Sequence, residues 1–383
     1  MKRCTKGLWD ETVPGIVFDQ EGVSNFAHLH NKLMEAYPRG EKGKVEFENI
    51  VKKIKKSKKS KNKYDCIVGI SGGTDSCYLL YIAKEVYGLN PLAVNLDNGW
   101  NSDIAVKNIY KVTKSLNIDL ETYVIDYEEI KDLLRSYMIA GLPWVDIPTD
   151  MAIKSILYRI AAKEGVKFVL RGNDFRSEGS QPFEWTYGDG RQINSVHKKF
   201  GRVKLKSFPN YTIVNTLING VFRGIKSVYP YYYLEYKKNE AMEFLKMKFD
   251  WEYYGGHHHE NHFTKFVMSY WLYEKFGIDK RLITLSAQIL SGEISREQGL
   301  SDIEKKPYNP NEIGETINFV AKKLDLTKEE FDKIWNSKNL TYKDYPSNAV
   351  VIEKMTKWLK PFLKLLFLHK PQSIFKAEMN KQN

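Results

Sequence analysis

A short apolar run, Tyr64 to Ile70, ends in Ser71-Gly72-Gly73-Thr74-Asp75-Ser76 and passes directly into an amphipathic stretch that reads as a helix over 74–87. Leu79, Leu80, Ile82, Ala83 and Val86 form its apolar side. Two adjacent glycines let the backbone turn tightly and point successive N–H groups inward. The helix N-terminus adds partial positive charge, and Ser71, Thr74 and Ser76 add hydroxyl donors. The segment therefore reads as a strand–loop–helix cradle for a phosphate or pyrophosphate. It lacks the Gly-Lys-Ser/Thr ending of a Walker A loop. Asp75 would repel a phosphate, so its expected work is either to help hold Mg²⁺ or to cap the helix.

The pattern around this loop is β/α. Further strands are expected at 91–96, 120–125 and 167–170, with helices at 46–61, 102–116 and 149–164. Short apolar strands alternating with amphipathic helices imply an α/β fold, a parallel sheet with helices on both faces. Ligands of such sheets bind beyond the carboxyl ends of the strands. The polar segments 71–76, 97–101 and 172–178 all fall there. Residues 1–45 read as a small irregular module, 46–240 as the nucleotide-binding domain, and 241–383 as a mostly helical region that completes the active site. Within that last region, helices are expected at 241–249, 263–276 and 283–290, with a helical tail over 311–368.

The chain has 383 residues and a formal net charge of +12, which suits phosphorylated substrates. Eight lysines crowd the segment from Lys52 to Lys63. They read as a solvated linker or helix face or, alternatively, as a binding segment; no aromatic residue interleaves them, and nucleic acid is not an expected partner. No stretch reaches the roughly 18 apolar residues of a membrane span. Three cysteines, Cys4, Cys66 and Cys77, are too few for a disulfide framework and fit a reducing cytoplasm. The segment 358–370, apolar and basic, reads either as a terminal helix packed on its own domain or as a surface for a membrane or a partner.

Ser71-Gly-Gly-Thr-Asp-Ser76 resembles the loop of the PP-loop ATP pyrophosphatases. Members of that family cleave ATP between the α and β phosphates and adenylate a carbonyl oxygen, after which a nucleophile displaces AMP. Seven further segments narrow the resemblance: Leu96–Ser102, Val145–Ile153, Leu170–Asp174, Tyr254–Glu260, Phe263–Phe266, Phe276–Arg281 and Leu290–Glu297. Together, over about residues 2–305, they resemble the N-acetyl sugar amidotransferases of bacterial surface-polysaccharide and sialic-acid-like sugar biosynthesis. The resemblance implies ATP and Mg²⁺ as cofactors and an N-acetylated, nucleotide-linked sugar as acceptor. It also implies a separate glutaminase that supplies ammonia, with a cyclase-like companion, and conversion of the acetamido group to acetamidino.

The same resemblance implies roles for individual residues. Asp97 and Asn98 close the second strand where the nucleotide's base and ribose would lie, a plain turn being the other reading for them. Trp100 is expected either to stack on a ligand or to cap the core. Asp146 and Asp150 flank a Pro-Thr turn, as substrate contacts or, for Asp150, as a helix N-cap. Gly172 and Asn173 follow the fourth strand beside the loop, and Glu178 is a candidate Mg²⁺ or substrate ligand. Lys265, Lys280 and Arg281 are the cations expected on pyrophosphate or on transition-state charge.

His257, His258, His259 and His262 lie beside Glu260. Metal binding, structure, and substrate or nucleotide contact through His258, His259 and Glu260 all remain readings of that cluster. The family's N-terminal four-cysteine pattern is broken here. Its positions hold Cys4, Gly7, Ser24 and Ala27, so no zinc is expected. Packing around Val17, Phe18, Val23 and Phe26 is expected to hold the module instead. Two other functions compete: a tRNA-modifying enzyme of the same loop family, and a catalytically inactive nucleotide-binding subunit.

Overall fold

Ser24 opens the first helix, α1 (Asn25–Ala36), its hydroxyl accepting the N–H of Ala27. Phe26, Leu29 and Leu33 turn inward from it. The first 45 residues are thus partly helical rather than irregular, a pattern obscured because polar His28, His30 and Asn31 interrupt the apolar positions. The second helix, α2 (Gly40–Ser57), begins before the expected residue 46. It buries Phe47, Ile50, Val51 and Ile54 and leaves Lys52, Lys53, Lys55 and Lys56 on its solvated face. This structure is a computed structural model; it describes residues 2–256, 259–352 and Leu368.

Five parallel strands follow: β1 (Cys66–Gly69), β2 (Pro91–Asp97), β3 (Leu120–Val124), β4 (Phe168–Leu170) and β5 (Lys226–Val228). Their order is β3-β2-β1-β4-β5. Val68 pairs with Ala93 and Leu170, and Leu170 with Val228. β1 is central and its side chains divide between two cores, as a period of two requires. Cys66 and Val68 join a cluster with Cys77, Leu79, Leu80, Ile109 and Val112 on one face. Ile67 joins Leu92, Val94, Leu157, Ala161 and Val169 on the other. β3 is an edge strand and alternates between exposed and half-buried residues.

The covering helices are α3 (Thr74–Tyr81, running on as a π turn to Val86), α4 (Asp103–Ser115), α5 (Tyr127–Ile139) and α6 (Ile147–Lys163). Beyond β4 come two single-turn helices, α7 (Phe175–Glu178) and α8 (Phe183–Thr186). Next are α9 (Gly190–Phe200) and α10 (Ile213–Leu217), the latter prolonged by a π turn to Phe222. After β5 the chain is helical: α11 (Lys238–Phe249), α12 (His262–Phe266, extended by π turns to Lys275), α13 (Arg281–Leu290), α14 (Arg296–Glu304), α15 (Ile313–Lys323) and α16 (Lys328–Trp335). The expected continuous tail over 311–368 is broken after α15, where Asp325 takes φ 52°. The apolar segment 358–370 lies outside the described residues except for Leu368. Among the described residues no helix is long and apolar enough to cross a membrane.

The N-terminal module packs on the helical region through Leu8, Trp9, Val13, Val23, Phe26 and Ala27, in one cluster with Phe263, Phe266, Trp271 and Ile283. The Ser286 hydroxyl accepts the Leu8 N–H at 2.7 Å. Cys4 is fully buried and its sulfur accepts the Ser24 N–H at 3.2 Å. Val17, expected in this packing, is 56% exposed. Its backbone is held instead by Asn25, through Val17 N–H to Asn25 Oδ1 and Asn25 N–H to Val17 O.

Candidate active site

The turn from β1 into α3 is held open from behind. Gly72 has φ 82°, and a Cβ there would lie 2.3 Å from the Ala105 carbonyl oxygen in α4. Only glycine fits such a position without strain. Trp251 Nε1 donates to the Gly72 carbonyl at 3.0 Å and Asn108 Nδ2 to the same oxygen at 3.3 Å. Tyr254 accepts the Thr74 N–H at 3.2 Å. Inside the turn, Ser71 N–H donates to the Ser76 hydroxyl, which in turn donates to the Gly73 carbonyl. Gly73, not Asp75, stands at the N-cap of α3.

Asp75 is the second residue of α3, and its carboxylate is taken up from the far end of the chain. Tyr236 O–H donates to one oxygen, and Lys238 Nζ lies 3.3 Å from the other. Tyr231 donates to the Asp75 carbonyl at 2.7 Å. Burial pulls the Lys238 ammonium down, but Asp75, with Glu178 and Glu260, outweighs it, so its pKa ends above the ordinary lysine value. Glu260 reaches the loop from the opposite side and accepts the Ser71 hydroxyl at 3.2 Å.

Ser71, Asp75 and Glu260 border a cavity of about 320 Å³ at the carboxyl edge of the sheet. Gly69, Val94, Leu96, Leu157 and Leu170 give it an apolar floor, and Ser71, Gly73, Asp75 and Ser76 one polar wall. The other wall is Trp144, Asp146, Thr149, Asp150, Glu178, Thr264 and Lys280. Trp144 Nε1 donates to Asp150 at 2.7 Å, Thr264 to Asp146 at 2.6 Å, and Asn173 Nδ2 to Glu178 at 3.1 Å. Lys280 lies over the Trp144 ring, 4.1 Å from its centroid. Burial lowers the Lys280 pKa to about 8 against the pull of Asp150, Glu178 and Asp146. An apolar floor, a phosphate cradle and an acidic wall that carries Lys280 suit a nucleotide joined to a second, polar reactant.

Residues 46–200 match the family model for NAD synthase, and residues 260–360 match that for the C-terminal domain of WbpG-like LPS biosynthesis proteins. The chain carries a PP-loop domain and a WbpG-like C-terminal domain. It is 26% identical, over 288 residues, to an uncharacterized protein of Methanocaldococcus jannaschii, covering 74% of this chain and 87% of that one. Similar solved structures include the NMN synthetase from Francisella tularensis, at 15% identity over 79% of this chain and 97% of that one, TM-score 0.34. The U34-tRNA thiolase NcsA from Methanococcus maripaludis matches at 15% identity, 81% and 92% coverage and TM-score 0.32. The NH3-dependent NAD synthetase from Campylobacter jejuni matches at 16% identity, 40% and 58% coverage and TM-score 0.26.

The PP-loop cavity offers oxygen donors from Asp75, Glu178 and Glu260, which suit a hard divalent cation. Among the described residues no three His, Cys, Asp or Glu side chains converge to hold a metal. A magnesium ion there would complete its shell from phosphate oxygens and water, as that ion usually does.

Several expected residues stand elsewhere. Trp100 is fully buried against Phe263 and Phe319 with Lys323 over its ring, so it caps the core and cannot stack on a ligand. Arg281 is committed to Asp279 at 2.7 Å and to the Asp302 carbonyl at 2.9 Å, tying α13 to α14. Asp97 accepts the Gly99 N–H at 2.9 Å and makes the turn, while its neighbour Asn98 lines the cavity and donates to Thr149. Asp150 is not an N-cap, because α6 starts at Ile147. Lys265 and His259 lie outside the cavity lining. Gly72 and Thr74 support the loop from beneath rather than lining the cavity, and a Cβ on the lining residue Gly172 would press on Asp75 at 3.2 Å. His258 lies outside the described residues.

Tyr231, Tyr236, Lys238 and Tyr254 were not legible as site residues. They stand more than 150 positions from the PP-loop; Tyr254 opens the segment Tyr254–Glu260 but carries no assigned role, and only the aromatic crowding of 229–236 marks the other three.

Proposed function

We propose that this protein is an ATP-dependent amidotransferase acting on the N-acetyl group of a sugar. The supporting observation is the meeting, in one cavity, of the PP-loop with the acidic wall that carries Lys280 and Glu178. The match of residues 260–360 to a domain of LPS biosynthesis proteins supports a sugar as the second reactant. In the proposed reaction the amide oxygen of the N-acetyl group attacks the α-phosphorus of ATP, and pyrophosphate leaves from the Ser71–Ser76 cradle. Ammonia then adds to the amide carbon, AMP departs with the oxygen, and the sugar keeps an acetamidino group.

Asp75 and Glu178 would hold Mg²⁺, whose chemistry here is to neutralise charge developing on the phosphates. Gly172 and Asn173 would border the phosphates, Asn98 the nucleoside, and Asp146, Asp150 and Glu260 the sugar. Lys280 would face the charge that develops on the adenylated oxygen. Ammonia would come from a separate glutaminase with a cyclase-like companion, in the cytoplasm where ATP is made. All three cysteines are buried, and burial pushes the Cys66 and Cys77 thiols far up. This speaks against thiolation chemistry, which needs an accessible thiolate.

The test is incubation with ATP, Mg²⁺, ammonium and a panel of N-acetylated nucleotide sugars, with AMP and the mass of the sugar as readouts. AMP together with exchange of the carbonyl oxygen for NH is expected. AMP formed only in the presence of tRNA would sink the reading.

A further inference from the structure

The amino ends of the parallel strands lie together on the edge of the sheet opposite the cavity, and cations gather there. α2 ends on this edge, and the loop 58–65 runs from it into β1. Lys55 stands beside Gly88 in the turn before β2. Asn62 Nδ2 donates to the Gly165 carbonyl at 3.0 Å. Lys167, two residues beyond Gly165, donates to the Arg223 carbonyl ahead of β5. The turn from α6 into β4 therefore ties the lysine loop and the segment before β5 to one edge. Three acids near this edge are already taken: Asp65 by Lys58, Asp119 by Lys63 and Glu121 by Lys163. Among the described residues Lys52, Lys53, Lys56, Lys59 and Lys61 are exposed and make no ion pair.

A second feature meets this edge. α10 and its π turn are built with their apolar side outward. Asn219 and Gly220 are buried, whereas Val214, Leu217, Ile218, Val221 and Phe222 are exposed. Those five positions are spaced as one face of a helix. The row ends at Phe222, 82% exposed, next to the Arg223 that binds Lys167. A contiguous exposed apolar row rimmed by cations marks a contact surface. A nucleic acid would satisfy the lysines and leave the apolar row in water. It would also sit on the edge remote from the cavity, where no reaction could reach it. An anionic lipid leaflet satisfies both halves, because its headgroups attract the lysines and its acyl boundary takes apolar side chains. Either signal alone binds weakly, and the two together give stable attachment.

We infer that the amino edge of the sheet is a docking surface for an anionic phospholipid membrane. The lysines around Lys59 and Lys61 supply the attraction, and the row ending at Phe222 supplies the insertion. The cavity then faces away from the lipid and stays open to its reactants. This goes beyond the amidotransferase reading and does not depend on it.

The test is sedimentation of the full chain with vesicles of phosphatidylcholine alone and of phosphatidylcholine mixed with phosphatidylglycerol. Binding is expected only to the mixed vesicles and is expected to weaken with added salt. The double substitution Lys59→Gln, Lys61→Gln is expected to weaken it by about thirtyfold, about fivefold for each lysine. Phe222→Ser is expected to weaken it by about tenfold or more. Both variants should melt with the parent, because the substituted side chains are exposed. Equal binding to both kinds of vesicle, or to neither, overturns the surface. So does binding that ignores both substitutions, which would place the contact elsewhere on the chain. Loss in the lysine variant with none in Phe222→Ser also overturns it, since any polyanion would then serve; tighter binding to tRNA than to the mixed vesicles would name that polyanion. Vesicle binding that depends on both sites in a protein that modifies no N-acetyl sugar upholds the surface while sinking the amidotransferase reading.

Discussion

Lys238 Nζ lies 3.3 Å from the Asp75 carboxylate, joining the first helix after the phosphate loop to a helix that begins more than 160 residues later. Tyr236 donates to the same carboxylate. The pair therefore acts as one unit: Asp75 keeps Lys238 charged, and Lys238 and Tyr236 keep Asp75 from facing the loop as a bare anion. Asp75→Asn and Lys238→Met are each expected to lower AMP formation by about 10²-fold, the usual effect of removing one preorganised charge. The double variant should lose little more than either single one. Fully additive losses in a double-mutant cycle would show that the two residues work independently.

Gly72→Ala tests the backbone of the loop. The left-handed φ of 82° and the 2.3 Å approach to Ala105 O act together. A cost on the order of 3 kcal/mol is expected in thermal or urea unfolding, with loss of ATP binding in calorimetry. The Ser76→Ala variant, which keeps the backbone path, should bind ATP more weakly yet unfold close to the parent.

Glu293, just beyond α13, has its carboxyl raised to about 7, first by burial and then by Asp174, with Arg39 and Lys238 pulling the other way. The unfolded state releases this proton near the ordinary 4.5, so the folded state holds more protons between those values, and stability falls as pH rises through that window. Above pH 7 the whole penalty is present. Glu293→Gln is therefore expected to raise stability at pH 8 by up to about 3 kcal/mol and to change little at pH 4. Melting curves at both pH values check the sign; a gain at pH 4 that vanishes at pH 8 would reverse the assignment.

Four of the five strands could be read in the sequence, β3 among them as an exposed, β-branched edge run. β1, β2 and β4 are short runs of Val, Ile, Leu and Ala because the parallel sheet covers them on both sides. β5 escaped notice because Lys226-Ser-Val228 is three residues long and only Val228 is buried. α5 escaped for a different reason. It buries Glu129, Asp132 and Arg135, so its inner face does not look apolar. Asp132 pairs with Arg135 at 3.0 Å, and Glu129 accepts the N–H groups of Lys206 and Ser207. The loop half of the site was legible because Ser71–Ser76 is contiguous, and Gly172, Asn173 and Glu178 follow a readable strand. Lys280 lines the cavity and Arg281 does not, although they are adjacent. Asp279 two positions away captures the guanidinium, a local competition that residue type alone does not reveal.

Lys280 gives the last prediction because its charge serves activity at a cost to stability. Burial lowers its pKa from the ordinary 10.5 to about 8. Below pH 8 both folded and unfolded chains hold the proton, and the buried ammonium carries its full penalty. Between 8 and 10.5 the unfolded chain holds more protons, so stability rises with pH. Lys280→Met is expected to unfold later than the parent at pH 7, by at most about 3 kcal/mol, with the difference closing above pH 10.5. The same variant is expected to lose about 10²-fold in acceptor-dependent AMP release. In the parent, that release should fall as pH rises through about 8, where the cation over Trp144 is lost. A pH–rate profile flat across that range, or a Lys280→Met variant less stable than the parent at pH 7, would mean that Asp146, Asp150 and Glu178 hold Lys280 as a structural ion.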